Sequence, residues 1–308
     1  MMQFLQGDAT ALPLADRSVD LVFGSPPYEA ARTYGIGFDL RGQAWVDWMV
    51  GVVWESLRVC RGLVAFVLEG QTRAYRWSAT PALLMADLHR AGVTLRKPPV
   101  FHRVGIPGSG GPDWLRNDWE FVVCATNGGR LPWSENTACG HPPKYAPGGE
   151  MSHRRSNGTL VNQWGGSAAS MTSRLTHGGL QKPGRPSHRM TTKSESAVVY
   201  TLGTPYTPPV MANPGNVIFF AVGGNQMGAP SAHENEAPFP LRLAEFFVLS
   251  FCPPGGIVLD PFSGSGTTAH AAKVHGRKAI GIDIRHSQCK LGRRRLWDVP
   301  VPLPLPLG

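Results

Sequence analysis

Ile257-Val258-Leu259-Asp260-Pro261-Phe262-Ser263-Gly264-Ser265-Gly266-Thr267-Thr268-Ala269-His270-Ala271-Ala272-Lys273 decides the fold of this 308-residue chain. The apolar run predicts a short buried strand, the glycine-spaced segment a tight turn, and the alanine-rich segment the start of a helix. Such a turn brings backbone N–H groups close to a ligand. Glycine supplies 37 of the 308 residues, so a Gly-x-Gly pair carries little weight alone. The next apolar run, Ala279-Ile280-Gly281-Ile282, ends in Asp283 and adds the missing weight. An acid at the tip of the following strand, about 20 residues past the turn, is where a nucleoside ribose is held.

A second turn lies near the other end of the chain. Val19 to Phe23 predicts a strand running into Ser25-Pro26-Pro27-Tyr28, and two consecutive prolines cannot continue a central strand. The chain must leave the sheet there, at the strand's carboxyl end, the edge at which open α/β sheets bind ligands. Phe4-Leu5 predicts a further short strand. Trp45, Trp48, Met49, Val52, Val53 and Leu57 recur at helical spacing over Gln43–Leu57, with the tryptophans read as core, and Arg61-Gly62 precedes a strand over Leu63–Leu68. Pro81–Ala91 and Phe239–Phe251 predict helices. Val100–Val104 and Glu120–Ala125 predict an antiparallel strand pair.

Residues 129–215 differ in composition: Gly, Pro, Ser, Thr, Asn, His and Arg dominate and apolar periodicity is lost. Trp133, Tyr145, Trp164, Tyr200 and Tyr206 are interleaved with cations there, which favours a loop-rich recognition insertion over a solvating tail. The formal charge is +9 with a pI near 9.6. Between Arg130 and Gly215, nine Lys/Arg face three Asp/Glu, so most of the excess lies in this segment and suits a polyanionic partner. Five cysteines form no C-x-x-C pair, which disfavours a disulfide framework or a metal site. Cys139-Gly140-His141 lacks the second pair a zinc site needs. The start, Met1-Met2-Gln3-Phe4, has no signal-peptide character, and no apolar run reaches membrane-spanning length, so a cytoplasmic protein is expected. Val299–Gly308 alternates proline with Val or Leu and predicts an extended tail.

Together these segments resemble the β-class amino-methylating DNA methyltransferases, which modify N4 of cytosine or N6 of adenine using S-adenosyl-L-methionine. In that family an S/D/N-P-P-Y tetrapeptide comes first, a variable target-recognition region follows, and F-x-G-x-G comes last. The resemblance covers roughly residues 6–128 and 216–296. It includes Gly7-Asp8-Ala9-Thr10, His233 with Ala237-Pro238-Phe239-Pro240, and Gly276-Arg277-Lys278-Ala279. Two departures are the Asp at 283, where the family often has Glu, and Glu234-Asn235-Glu236, which lengthens the step from His233 to Pro238.

The resemblance implies a Rossmann-like α/β methyltransferase fold with circularly permuted motif order. Residues 1–128 would form the catalytic half, 129–215 the target-recognition insertion, 216–298 the cofactor half and 299–308 a tail. It implies catalysis by Ser25, Pro26, Pro27 and Tyr28: the Ser25 hydroxyl and Pro26 carbonyl hold the amino group, and Tyr28 stacks on a flipped base. Asp8, Phe262, Ser263, Gly264, Ser265, Gly266 and Asp283 are expected at the cofactor. Asp260 either approaches the donor's ammonium or caps the turn, and Thr267 and Thr268 either cap the helix or touch the ligand. Arg32, Arg154, Arg155, Arg185 and Arg189 are the DNA-binding candidates, whereas Arg293-Arg294-Arg295 reads as a solvated helix face.

Ser at the first tetrapeptide position resembles the N4-cytosine branch, with N6-adenine the alternative. No cysteine follows a proline, which argues against C5 methylation by a thiolate. Protein glutamine methyltransferases share the tetrapeptide, but their cofactor motif precedes it. An inert DNA-binding protein would have no need of both motifs. The expected partner is double-stranded DNA, and any cognate restriction endonuclease would be a separate chain.

Overall fold

The computed structural model describes residues 2–29, 37–104, 110–142, 210–222, 226, 231, 234, 235, 238–297 and 299. The chain divides into two compact units, Met1–Cys139 with Asn213–Gly308, and Gly140–Ala212. In the second, the described residues include an antiparallel bridge in which the Ala212 N–H donates to the His141 carbonyl over 2.8 Å.

The first unit is an open α/β sheet of nine strands among the described residues. Its elements are β1 (Met2–Gln6), β2 (Val19–Gly24), α1 (Gly42–Val59), β3 (Cys60–Leu68), β4 (Thr72–Arg73), β5 (Arg76–Trp77), α2 (Thr80–Arg90), β6 (Thr94–Arg96), β7 (Val100–Val104), β8 (Trp119–Thr126), β9 (Val217–Ala221), α3 (Leu241–Phe251), β10 (Ile257–Asp260), α4 (Thr267–Val274), β11 (Lys278–Asp283) and α5 (His286–Trp297). The strand order is β1-β11-β10-β2-β3-β8-β7-β9, with β6 also on β8; β4 and β5 form a separate hairpin. The run from β1 to β3 is parallel, and β8 returns antiparallel to β3 and β7.

Alternate residues of the central strands feed two cores. Leu21 and Phe23 of β2 and Leu63, Ala65 and Val67 of β3 pack with Leu243, Ala244, Phe247 and Val248 of α3 and with Ala269, Ala271 and Ala272 of α4. Val22, Val64, Phe66 and Leu68 point the other way, toward Trp45, Met49, Val52 and Val53 of α1 and Leu84 and Leu88 of α2. Helices therefore cover both faces, which explains why these strands read as continuous apolar runs. Phe247 stacks on Phe23 with ring centroids 4.6 Å apart, and burying one such side chain is worth about 1.5–3 kcal/mol.

Strands β2 and β10 come from opposite ends of the chain yet lie side by side, with Val258 opposite Leu21. Asp20 fastens this seam: its carboxylate accepts the Ile257 N–H over 2.8 Å and pairs with Arg61 over 2.6 Å. The connection from β10 to β11 moves one way across the sheet and that from β2 to β3 moves the other, so a topological switch point lies between β10 and β2. The expected helices and strands all form, each end within a few residues. The sequence reading gives no strand at β4, β5, β6 or β9; β4, β5 and β6 are two or three residues long, too short to show an alternation.

Candidate active site

The carboxyl ends of β1, β2, β3, β10 and β11 open on one cleft of about 830 Å³. Gly7 and Asp8 follow β1, Ser25 to Tyr28 follow β2, Glu69 to Gln71 follow β3, and Pro261 to Ser265 follow β10. Asp283 ends β11, and all of these residues line the cleft. The two turns singled out in the sequence thus flank the switch point, where a crevice forms because neighbouring crossovers diverge.

Backbone and buried carboxylates build the loop after β10. Asp260 lies behind it, outside the lining and 2% exposed. Its carboxylate accepts the Phe262 N–H over 3.0 Å and the Thr268 hydroxyl over 2.7 Å. Of its two expected roles, the geometry gives it that of holding the turn. Burial pushes its carboxyl up to about 7, against these two hydrogen bonds, and the nearby Asp283 charge adds to the rise. Asp283 accepts the Gly264 N–H over 3.0 Å and the Arg285 N–H over 2.9 Å, tying the tip of β11 to the loop. Gly264 and Gly266 have φ of 47° and 81°, and a Cβ on Gly266 would collide with the Phe4 ring. Gly266 faces that ring and is not part of the lining.

Phe262 packs between Trp48 and Phe66, with centroids 5.8 and 5.9 Å away. The Ser263 hydroxyl is buried and has no hydrogen-bond partner among the described residues, although Ser263 lines the cleft. On the facing side, Asp8 accepts the N–H and hydroxyl of Thr10, each over 2.8 Å.

Neither Thr267 nor Thr268 caps α4, which has no side-chain cap. Thr268 points to Asp260, whereas Thr267 lines the cleft and accepts from Arg295 over 2.9 Å. Arg295 corrects the reading of the arginine run as a solvated face. It is 4% exposed, also donates to the Ser265 hydroxyl over 3.0 Å, and burial lowers its guanidinium to about 10. Arg293 donates to the Phe4 carbonyl, and Arg294 pairs with Glu234.

Side chains from α1 and from strands β7 and β8 hold the turn after β2. The Trp45 indole N–H of α1 donates to the Pro27 carbonyl over 2.9 Å, and Glu29 accepts the Gly42 N–H over 2.8 Å. The Ser25 hydroxyl lies 3.3 Å from the Tyr28 oxygen and 3.4 Å from the Val67 carbonyl. Tyr28 donates to Glu120 of β8 over 2.9 Å, and Glu120 pairs with Arg103 of β7 over 3.1 Å. Burial raises the Glu120 carboxyl, while Arg103 and Tyr28 favour its charged form. Glu69 also lines the cleft; burial lifts it to about 6, against hydrogen bonds from the Gly70 N–H and the Trp77 indole.

Glu120, Arg103 and Glu69 received no role from the sequence. The available signal was a lone acid in an apolar strand opposite a strand carrying an arginine. The Cys60, Cys124 and Cys252 thiols are pushed up to about 12 by burial, unsuited to nucleophilic work. Arg32, Arg154, Arg155, Arg185, Arg189, His233, Tyr145, Trp164, Tyr200 and Tyr206 lie outside the described residues. Among the described residues no helix is long and apolar enough to cross a membrane, and no cluster of three His, Cys, Asp or Glu could hold a metal ion.

A family model for N6/N4 methyltransferases, described as DNA methylase, matches residues 19–294. The chain is 42% identical over 83 residues to the DNA adenine methyltransferase YhdJ of Escherichia coli K12, covering 27% of this chain and 28% of that one. The leading curated relatives are matched over only about a quarter of their length. Among solved structures, the cytosine-N4-specific PvuII DNA methyltransferase superposes with a TM-score of 0.61 at 16% identity, over 97% of this chain and 87% of that one. TTHA0409 of Thermus thermophilus, in complex with S-adenosyl-L-methionine, gives a TM-score of 0.56 at 21% identity, over 97% and 95%.

Proposed function

Since the chain belongs to the N6/N4 DNA methylase family, we propose that it transfers a methyl group from S-adenosyl-L-methionine to the exocyclic N4 of cytosine in double-stranded DNA. The observation that carries this reading is that Ser25–Tyr28 and the Phe262–Gly266 loop flank one cleft at the switch point. The donor half fits such a cofactor. It offers close-approach backbone at Gly264, a buried Ser263 hydroxyl without a partner among the described residues, Asp283 for the ribose hydroxyls, Asp8 for the adenine amino group and Phe262 as an apolar wall. Bound there, S-adenosylmethionine supplies an electrophilic methyl group.

The acceptor half prepares the nucleophile. An exocyclic amino nitrogen is a weak nucleophile because its lone pair is delocalised into the ring. Acceptors on its two N–H bonds favour a pyramidal nitrogen and stabilise the developing positive charge. The Ser25 hydroxyl and the Pro26 carbonyl take these positions. Ser25 can donate its own proton toward Tyr28, which donates to Glu120 beside Arg103, leaving the Ser25 lone pairs for the amino group. Tyr28 presents its ring to the extruded base.

The test is nucleoside mass spectrometry of unmethylated plasmid DNA after incubation with the purified protein and S-adenosylmethionine. N4-methylcytosine is expected. N6-methyladenine would overturn the base assignment and keep the reaction class, and no methylated nucleoside would overturn both. The basic segment from Arg130 to Gly215 supplies most of the phosphate contacts in this reading. Neutralising Arg154, Arg155, Arg185 and Arg189 should flatten the dependence of log affinity on log salt by about 0.9 for each phosphate left without its cation. A wild-type slope would place the DNA elsewhere.

A further inference from the structure

The hairpin of β4 and β5 takes no part in the chemistry above. Its strands join through Ala74 (φ 46°) and Tyr75 (φ 64°), both in the left-handed region. Turns of this shape favour Asn-Gly or Gly-Gly, because a Cβ crowds the backbone there. The second position here carries a tyrosine that is 71% exposed. A large ring is thus held outward on strained backbone with little core packing in return, the pattern expected where strain serves binding.

The hairpin is tied to the rim of the cleft. It follows Glu69, Gly70 and Gln71, which line the cleft; the Trp77 indole N–H donates to the Glu69 carboxylate over 3.2 Å, and the Ser78 N–H to the Gln71 carbonyl over 2.9 Å. Arg73 and Arg76 are exposed, and Thr72–Trp77 contains no acid. Tyr75 meets Trp114 edge to face at 5.6 Å, so its ring is steadied from one side.

We infer that the Thr72–Trp77 hairpin grips duplex DNA beside the target nucleotide, with Arg73 and Arg76 on phosphates and the Tyr75 ring stacked against the bases flanking the extruded one. The inference rests on the proposed function in taking DNA as the partner. A flat ring on a stiff arm offsets stacking lost when a base leaves the helix, and paired cations fix it to the backbone.

The test uses the site mapped by modified-base sequencing, in duplexes with the target base paired or mismatched. Tyr75→Ala should keep wild-type donor affinity but methylate the paired duplex roughly tenfold more slowly, the scale of one lost base–aromatic stack. It should recover on the mismatched duplex, whose base is already cheap to extrude, and Tyr75→Phe should behave as wild type. A paired-duplex rate within about twofold of wild type overturns the inference, as does an equal loss on both duplexes. If the wild-type protein methylates no DNA, the proposed function fails separately, and duplex binding then judges the hairpin. Arg73→Ala/Arg76→Ala should lower the log–log salt slope by about 1.8, and an unchanged slope overturns the inference.

Discussion

The loop from Asp260 to Thr268 and the turn from Ser25 to Tyr28 face the same cleft but are secured by different means. Most hydrogen-bond partners of the loop lie within residues 260–295: Thr268 and Phe262 on Asp260, Asp283 on Gly264, and Arg295 on Ser265 and Thr267, while Thr268 also reaches the Phe23 carbonyl and Phe262 packs on Trp48 and Phe66. Partners of the turn arrive from the helix that follows it and from across the sheet: Trp45 of α1, then Val67, and Glu120 with Arg103. The donor wall is therefore held mainly by hydrogen bonds within the β10–α5 segment, with Phe262 and Gly266 completed by packing on Trp48, Phe66 and Phe4, whereas the acceptor wall exists only once β2, β3, β7 and β8 have assembled. A permuted motif order is tolerable for this reason. The donor unit carries most of its own hydrogen bonds wherever it falls in the chain, and the β10–β2 seam brings it to its counterpart and to the rings that pack on Phe262.

Substitutions on the two walls should separate their supports. Asp260 sits under the donor loop with its pKa raised to about 7 from 3.8. An acid raised on folding holds its proton more tightly in the folded chain, so its contribution is full below about pH 4 and is lost as pH rises through about 7. At 1.36 kcal/mol per pH unit the loss is up to about 4 kcal/mol. Asp260→Asn removes the titration and keeps an acceptor for the Phe262 N–H. The difference in unfolding free energy between variant and wild type should therefore move by up to about 4 kcal/mol in the variant's favour between pH 4 and 8, by urea denaturation. A constant difference would mean that Asp260 ionises freely inside the fold.

On the acceptor wall, Arg103→Leu leaves Glu120 without its cation and should cost about 2–3 kcal/mol, toward the low end for a broken buried pair because Arg103 is partly exposed. Arg103→Leu/Glu120→Leu should regain most of that. A double variant as unstable as the sum of its parts would show the two residues to be uncoupled. Asp283→Ala should weaken S-adenosylmethionine binding by about 1.5–3 kcal/mol, the scale of hydrogen bonds to a charged group. An unchanged calorimetric dissociation constant would remove Asp283 from the donor site.

The same contrast explains what the sequence discloses. Strand, turn, helix and acid-tipped strand stand in register from Ile257 to Asp283, so the donor loop can be read from one stretch. Ser25–Tyr28 is equally visible as a turn, but its supports are not. Tyr28 and Glu120 are 92 residues apart and meet because β8 lies beside β3 with Leu68 opposite Phe121. Arg295 shows the converse error. Within a run of three arginines it reads as solvated, yet α5 turns that one position inward to the Ser265 and Thr267 hydroxyls. The β4–β5 hairpin escapes detection because Ala74-Tyr75 carries none of the residues that signal such a turn.

Single-turnover methyl transfer by Ser25→Ala at saturating S-adenosylmethionine tests the division of labour most directly. The barrier should rise by about 2–4 kcal/mol, comparable with the loss of one preorganised hydrogen-bonding group, with an unchanged donor dissociation constant. A variant that transfers methyl groups at the wild-type rate, or that loses rate only through weaker donor binding, would contradict that division.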